Sequence, residues 1–366
     1  MNIKSIFLIV FAVFLSCKEN KPMQTTFKAN NTLFKYTGRY EAMPDSKIAL
    51  IGSASSIEFN VKGDSIILYL QSQYQPRNYF VLTINDEYQK RYKLQGDTIN
   101  KITLQLPKSE FNKIGIHKAT EAASGTVILH KIETEAIIPL EENTSVSIEF
   151  IGDSITCGAL ADNSNIDCNE GEYIDQHNAY LAYGPRLARA LNAEYVLSSV
   201  SGMGMYRNWN DENIEEPIMP QVYNNLYLNT DDSKLYNPSF QPDVVSICLG
   251  TNDMSDGDGV KTRLPFNTEK YTNNYIKFVE TIYKTNPEVQ IVLLNSPMVS
   301  AERNDTLVSC LKAVQNQFKD KNIKIFQFNK LYVNGCNYHP SIEDHKVLAD
   351  QLTPFFEGVI KALKNK

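Results

Sequence analysis

Residues Ser147-Ile148-Glu149-Phe150-Ile151-Gly152-Asp153-Ser154-Ile155-Thr156 mark the point where the period of the chain changes. Ile148 to Ile151 reads as a strand, and beyond it short apolar runs alternate with helix-period segments. Ala179 to Leu191 reads as a helix, with Leu187 and Leu191 four apart. Strands are expected at Tyr195 to Ser199, Val244 to Leu249, Ile291 to Leu294 and Ile323 to Phe328. Helices are expected at Tyr271 to Tyr283, Leu307 to Phe318 and from about Glu343 to Leu363. Apolar strands alternating with helices imply an α/β domain, a parallel sheet covered on both faces. In such sheets ligands bind outside the carboxyl ends of the strands, so the residues that follow each strand are where chemistry is sought.

Upstream the pattern is all-β. Ser56-Ile57-Glu58-Phe59-Asn60-Val61 alternates polar and apolar, the period of a half-buried strand, and Gly63-Asp64 breaks it. Further short runs at Ser65 to Leu70, Asn78 to Ile84, Ile102 to Leu106, Gly115 to His117 and Val127 to Ile132 suggest a β-sandwich or jelly roll. The expected division is a sandwich over 27–138 and an α/β domain over 144–366, with Pro139 and Glu141-Glu142-Asn143 as linker.

The 366 residues fit one large domain or two ordinary ones. Apolar residues make up 42% and charged residues 21%, which excludes disorder and a coiled coil. A net charge of −6 argues against nucleic acid, because phosphate contact needs clustered positive charge. The N-terminus reads as an address. Lys4 precedes the apolar run Ile6 to Leu15, too short for a bilayer span of roughly 20 residues. The run ends in Phe14-Leu15-Ser16-Cys17, which resembles a bacterial lipobox, with Phe14 a departure from the usual Leu, Val or Ile. The resemblance implies lipidation at Cys17, residues 1–17 as signal peptide, and an exported protein anchored to the bacterial outer membrane. Five Cys follow Cys17; Cys157 and Cys168 are close enough in sequence to pair, which spacing alone leaves open.

The strand ends carry a constellation. Gly152 permits a sharp turn that would present Ser154 as a nucleophile with its own N–H toward a developing oxyanion. Ser201-Gly202-Met203-Gly204 follows the second strand, and Gly250-Thr251-Asn252-Asp253 the third. Asn337-Tyr338-His339-Pro340 stands before the last helix. Each block alone reads as an ordinary turn. Their order, Ser, Gly, Asn and then His, resembles the SGNH hydrolase superfamily across about residues 146–363. The preceding sandwich, with Gly115-Ile116-His117-Lys118-Ala119-Thr120-Glu121 and Gly335-Cys336-Asn337-Tyr338-His339-Pro340, resembles carbohydrate esterase family 2.

The resemblance implies a flavodoxin-like three-layer domain behind a jelly roll. It also implies a serine esterase that removes acetyl groups from plant polysaccharides such as xylan and glucomannan. Ser154 and His339 are the implied catalytic pair, and the oxyanion is received by Ser154 N–H, Gly202 N–H and the Asn252 side chain, with Gly204 as the alternative to Gly202. Many members carry Asp three residues before the His; here that position is Cys336, a poor stand-in for a carboxylate. Some family 2 esterases lack that Asp and hold the ring with a backbone carbonyl. Glu343 and Asp344 are weaker substitutes that read as helix-start residues. Trp209, Tyr338 and Asp153 are candidate substrate contacts. No metal or organic cofactor is expected, and the chain is expected to act as a monomer on acetylated polysaccharide or oligosaccharide. Asp253, Asp256 and Asp258 resemble a calcium loop but lack the EF-hand order, so a polar loop is expected. His345 is expected as a solvated helical residue. The competing readings are a non-catalytic carbohydrate-binding lipoprotein and an esterase or lipase of other substrate on the same fold.

Overall fold

In a computed structural model of the chain the described residues are 24–74, 76–141, 144, 146–236 and 239–365. The signal peptide and Cys17 lie outside them, as do Glu142 and Asn143 of the expected linker.

Two antiparallel sheets make the N-terminal sandwich. One runs Tyr40–Met43, Lys47–Leu50, Val127–Thr134, Ser65–Ser72 and Ile99–Gln105, with Thr25–Lys28 also paired to Val127–Thr134. The other runs Ala136–Ile138, Ser56–Lys62, Asn112–Lys118, Arg77–Ile84 and Glu87–Gln95, with Lys35–Thr37 also paired to Ser56–Lys62. Along Ser65–Ser72 every second residue is buried, so Ile66, Leu68 and Leu70 meet Phe59, Phe80 and Ile116 of the facing sheet. The sequence reading passed over Glu87–Gln95. It is an edge strand with mostly exposed side chains, Lys, Glu and Gln among them, so it lacks the apolar alternation of its neighbours.

Arg77–Ile84 explains how the sandwich meets the second domain. Seven of its eight residues are buried. Phe80, Leu82 and Ile84 fill the sandwich core, while Tyr79 and Val81 on the other face pack against Ile174 and Tyr180. Arg39 crosses the same boundary. It is fully buried and donates to the Asn225 and Tyr223 carbonyls at 2.8 and 2.9 Å and to Ser198 Oγ at 3.1 Å.

The second domain holds a parallel sheet in the order Glu194–Ser199, Ser147–Gly152, Val244–Cys248, Gln290–Leu294, Lys324–Phe326. Helices Tyr183–Ala190 and Ile342–Lys364 cover one face through Leu187, Leu348, Leu352 and Phe356. Thr268–Thr285 and Ala301–Gln317 cover the other through Tyr271, Tyr275, Leu307 and Leu311. The first strand of this sheet lies between the second and third, so the chain leaves it in opposite directions at a topological switch point.

The cysteines pair differently from the nearest-neighbour possibility. Cys168 bonds Cys336, and Cys157 is buried as a free thiol. Cys157 ends the one-turn helix Ser154–Cys157 and points into the interior beside Ser199 Oγ at 3.3 Å, whereas Cys168 lies on the 161–178 excursion that reaches the loop before His339. His345 also departs from expectation. It is fully buried and its Nδ1 accepts from the Tyr183 amide at 3.2 Å, because this first turn is pressed against helix Tyr183–Ala190.

Candidate active site

At the switch point Gly152 ends its strand and Asp153 caps the one-turn helix, its carboxylate accepting from the Ile155 amide at 3.1 Å. A side chain at position 152 would strike Thr156 and the Cys248 carbonyl, so glycine is required for the close turn. Ser154 is therefore the first helical residue, where a backbone N–H has no partner within the helix.

His339 arrives from the far end of the domain. Its Nε2 lies 3.0 Å from Ser154 Oγ and its Nδ1 lies 3.0 Å from the Asn337 carbonyl. A carbonyl only accepts, so the ring proton sits on Nδ1 and Nε2 is left to accept from the serine hydroxyl. Asn337 and Tyr338 both adopt positive φ, 47° and 58°, which folds the loop back so that this carbonyl reaches the ring. Burial holds His339 below the ordinary imidazole value, favouring the neutral ring. Cys336, three residues before His339, is committed to the disulfide. Asp344 is no substitute, since its carboxylate takes the Asn334 and Ser341 amides at 2.8 and 3.2 Å.

Gly202 and Gly204 differ. Gly202 has φ +79°, lines the cleft, and has open space where a side chain would be. Gly204 is sealed against the Arg207 carbonyl and Asp253, and its N–H donates to Asn208 Oδ1 at 3.1 Å. Asn252 also lines the cleft, its Nδ2 donating to the Met203 carbonyl at 2.9 Å and to Asp153 Oδ2 at 3.3 Å. Asp153 itself is fully buried, which corrects its reading as a substrate contact: its oxygens face Ile155 N and Asn252 Nδ2 beneath the cleft floor. That burial pushes its carboxyl up to about 7.

The three aspartates of the Asp253–Asp258 stretch go to different partners. Asp253 accepts the Met205, Tyr206 and Arg207 amides at 2.7–3.2 Å, Asp256 faces Arg303 at 2.7 Å, and Asp258 accepts from Asn210 at 2.8 Å. Among the described residues no group of three or more potential ligands is placed to hold a metal.

The cleft encloses about 820 Å³, with Trp209 47% and Tyr338 77% exposed on its walls. The walls also include residues not picked out as site residues from sequence, among them Tyr173 on the excursion, Arg303 on a helix, and Glu121 from the sandwich. Glu121 stood inside a quoted stretch, but only the docking of two domains brings it to the site. Its Oε2 accepts the Ser201 amide at 2.6 Å, and its Oε1 lies 3.6 Å from His177 Nε2.

Comparison with known proteins follows this division. Residues 36–140 match the carbohydrate esterase 2 N-terminal model, and residues 150–339 match the GDSL-like lipase/acylhydrolase model. One relative, an acetylxylan esterase/glucomannan deacetylase of Cellvibrio japonicus (strain Ueda107), is 33% identical over 56% of this chain and 57% of its own length. A second protein of the same name and organism is 24% identical over 95% of this chain and 96% of its own. The structure of a family two carbohydrate esterase from Cellvibrio japonicus superposes with TM-score 0.82 at 22% identity, covering 93% of this chain and 98% of that one. The chain belongs to the GDSL-like lipase/acylhydrolase family, and the stretch in front of that domain matches the N-terminal model of carbohydrate esterase 2.

Proposed function

We propose that the chain is a carboxylic ester hydrolase that removes O-acetyl groups from plant-type polysaccharides or their oligosaccharides, xylan and glucomannan among them. The observation that carries this reading is the Ser154–His339–Asn337 chain of hydrogen bonds at the floor of an open cleft. In the proposed reaction His339 Nε2 takes the hydroxyl proton as Ser154 Oγ attacks the acetyl carbonyl. The oxyanion is received by the N–H groups of Ser154 and Gly202 and by Asn252 Nδ2, whose long 3.3 Å contact to Asp153 is the one readily exchanged. The imidazolium returns its proton to the sugar oxygen, leaving an acetyl-enzyme. His339 then deprotonates a water that releases acetate and restores the serine. The exposed faces of Trp209 and Tyr338 suit sugar rings, and the names of the relatives favour this substrate class.

The test is acetate release from 4-nitrophenyl acetate, acetylated xylan and acetylated glucomannan. The wild type is expected to act on all three, and Ser154→Ala to lose at least ~10⁴-fold in kcat, the lower end of the scale seen when a triad member is removed. No release from any acetyl ester by the wild type would overturn the reading and favour a carbohydrate-binding protein. Export and lipid anchoring through Cys17 belong to the same proposal. They are supported by the apolar run and Ser16-Cys17, and Cys17→Ser is expected to abolish incorporation of labelled fatty acid.

A further inference from the structure

The loop after the second parallel strand is held unevenly. Its inner part is fixed: Asp253 takes three successive amides, and Asn208 takes the Gly204 amide. Its tip, Ser201-Gly202, lies outside that grip. The Met203 amide on the Val200 carbonyl at 3.4 Å closes the turn around it, and from outside that turn it is held by the Trp209 amide on the Gly202 carbonyl at 2.8 Å and by the Glu121 carboxylate on the Ser201 amide at 2.6 Å. Gly202 has positive φ and no side chain to wedge it, so the direction of its N–H depends on these outside contacts.

We propose that Glu121, supplied by the N-terminal sandwich, is a positioning residue for the oxyanion loop. By holding the Ser201 amide, its carboxylate sets where the neighbouring Gly202 N–H points. The proposal rests on the reading of Gly202 as an oxyanion donor.

Glu121 is itself firmly seated. It is 3% exposed, and the buried Lys118 ammonium donates to its carbonyl at 2.5 Å and to that of Thr120 at 3.1 Å. Ala119 accepts the Ala179 amide at 2.9 Å, tying this stretch to the catalytic domain. Burial pushes the Glu121 carboxyl up, but the close approach of His177 and the Ser201 amide outweigh it and hold it below the usual range. An ionised carboxylate accepts a shorter, stronger hydrogen bond than a neutral group does. Being acceptor-only, it has no hydrogen bond to give an oxyanion, so its effect on the reaction passes through the loop.

The experiment compares Glu121→Gln, Glu121→Met and Glu121→Asp on 4-nitrophenyl acetate, with melting temperature measured beside kcat and KM. Gln keeps an acceptor at the same reach. Met keeps the length without an acceptor, and Asp keeps the charge but falls short by one methylene. The expected result is a kcat within about threefold of wild type for Gln, against a loss of ~10–100-fold for Met and Asp at little-changed KM, below the 10²–10³-fold scale for removing an oxyanion donor outright. Wild-type kcat in Met or Asp, or a loss in Gln as large as in Met, would overturn the proposal. Should Met fail to fold, Asp decides. Asn252→Ala run in parallel separates the two levels: an unchanged kcat there defeats the oxyanion assignment itself. A loss there with Met and Asp unaffected defeats only the role of Glu121.

Discussion

The residue that most shapes the proposed chemistry is Asn337. Its carbonyl fixes the His339 tautomer but carries no full charge, so it stabilises the imidazolium less than an aspartate would. Burial works in the same direction, lowering the ring's proton affinity. A base must be unprotonated to act, so activity is expected to fall as pH drops through the His339 value, which lies below 6.5. The acid limb of kcat/KM for 4-nitrophenyl acetate is the measurement. A midpoint at or above 6.5 would contradict the desolvated, carbonyl-held ring. At this scale the sequence was partly legible. Ser154, Gly202, Asn252 and His339, which the structure brings to one cleft, could be singled out because each follows a recognisable strand or precedes a helix. Asp153 and His345 were misread because burial is set by what packs over a residue, and neither neighbour, Asn252 nor Tyr183, is near in sequence.

Among the elements, the 161–178 excursion is the one that local patterns did not foretell. It leaves the helix Ser154–Cys157, lies against the sandwich, and returns to start the next helix. Asp175 accepts Arg77 at 2.7 Å and Tyr79 at 2.6 Å, and the His177 carbonyl accepts Arg91 at 2.6 Å. Its Cys168 then bonds Cys336, next to Asn337 and three residues before His339. The His339 loop is thus braced against the sandwich through a disulfide whose halves are 168 residues apart, a separation no spacing rule reads. Reduction is expected to lower kcat about tenfold, short of the ~10²-fold that a misplacement of 1 Å can cost. Activity with and without dithiothreitol checks this. The Cys168→Ser, Cys336→Ser double variant should already be low and indifferent to reductant. By contrast the strands and long helices of the α/β domain were legible, most to within about four residues and Ala301–Gln317 from Leu307 onward, because fully apolar strands and amphipathic helices write their burial into the local sequence.

As a whole molecule, the chain is two domains that share a polar interior. Arg39, from the sandwich, donates to two carbonyls of the second domain and to Ser198, while Ser198 and Tyr223 donate to Glu149 at 2.6 and 2.8 Å. Removing the guanidinium leaves these buried acceptors without their cation. Arg39→Ala is expected to cost about 3–5 kcal/mol, the scale for breaking a buried charged network from one side. Urea titration followed by fluorescence and by circular dichroism tests it. Wild type should unfold in one transition seen alike by both probes, and a loss under 1 kcal/mol in the variant would mean that the boundary is not structurally shared. The same architecture has a topological side. The Cys168–Cys336 bond closes a covalent ring that encloses the second, third, fourth and fifth strands of the parallel sheet. The segment around Val260, itself 86% exposed, lies within that ring. A protease that cuts there once opens the ring without dividing the molecule, which keeps its full mass until a reductant releases the pieces.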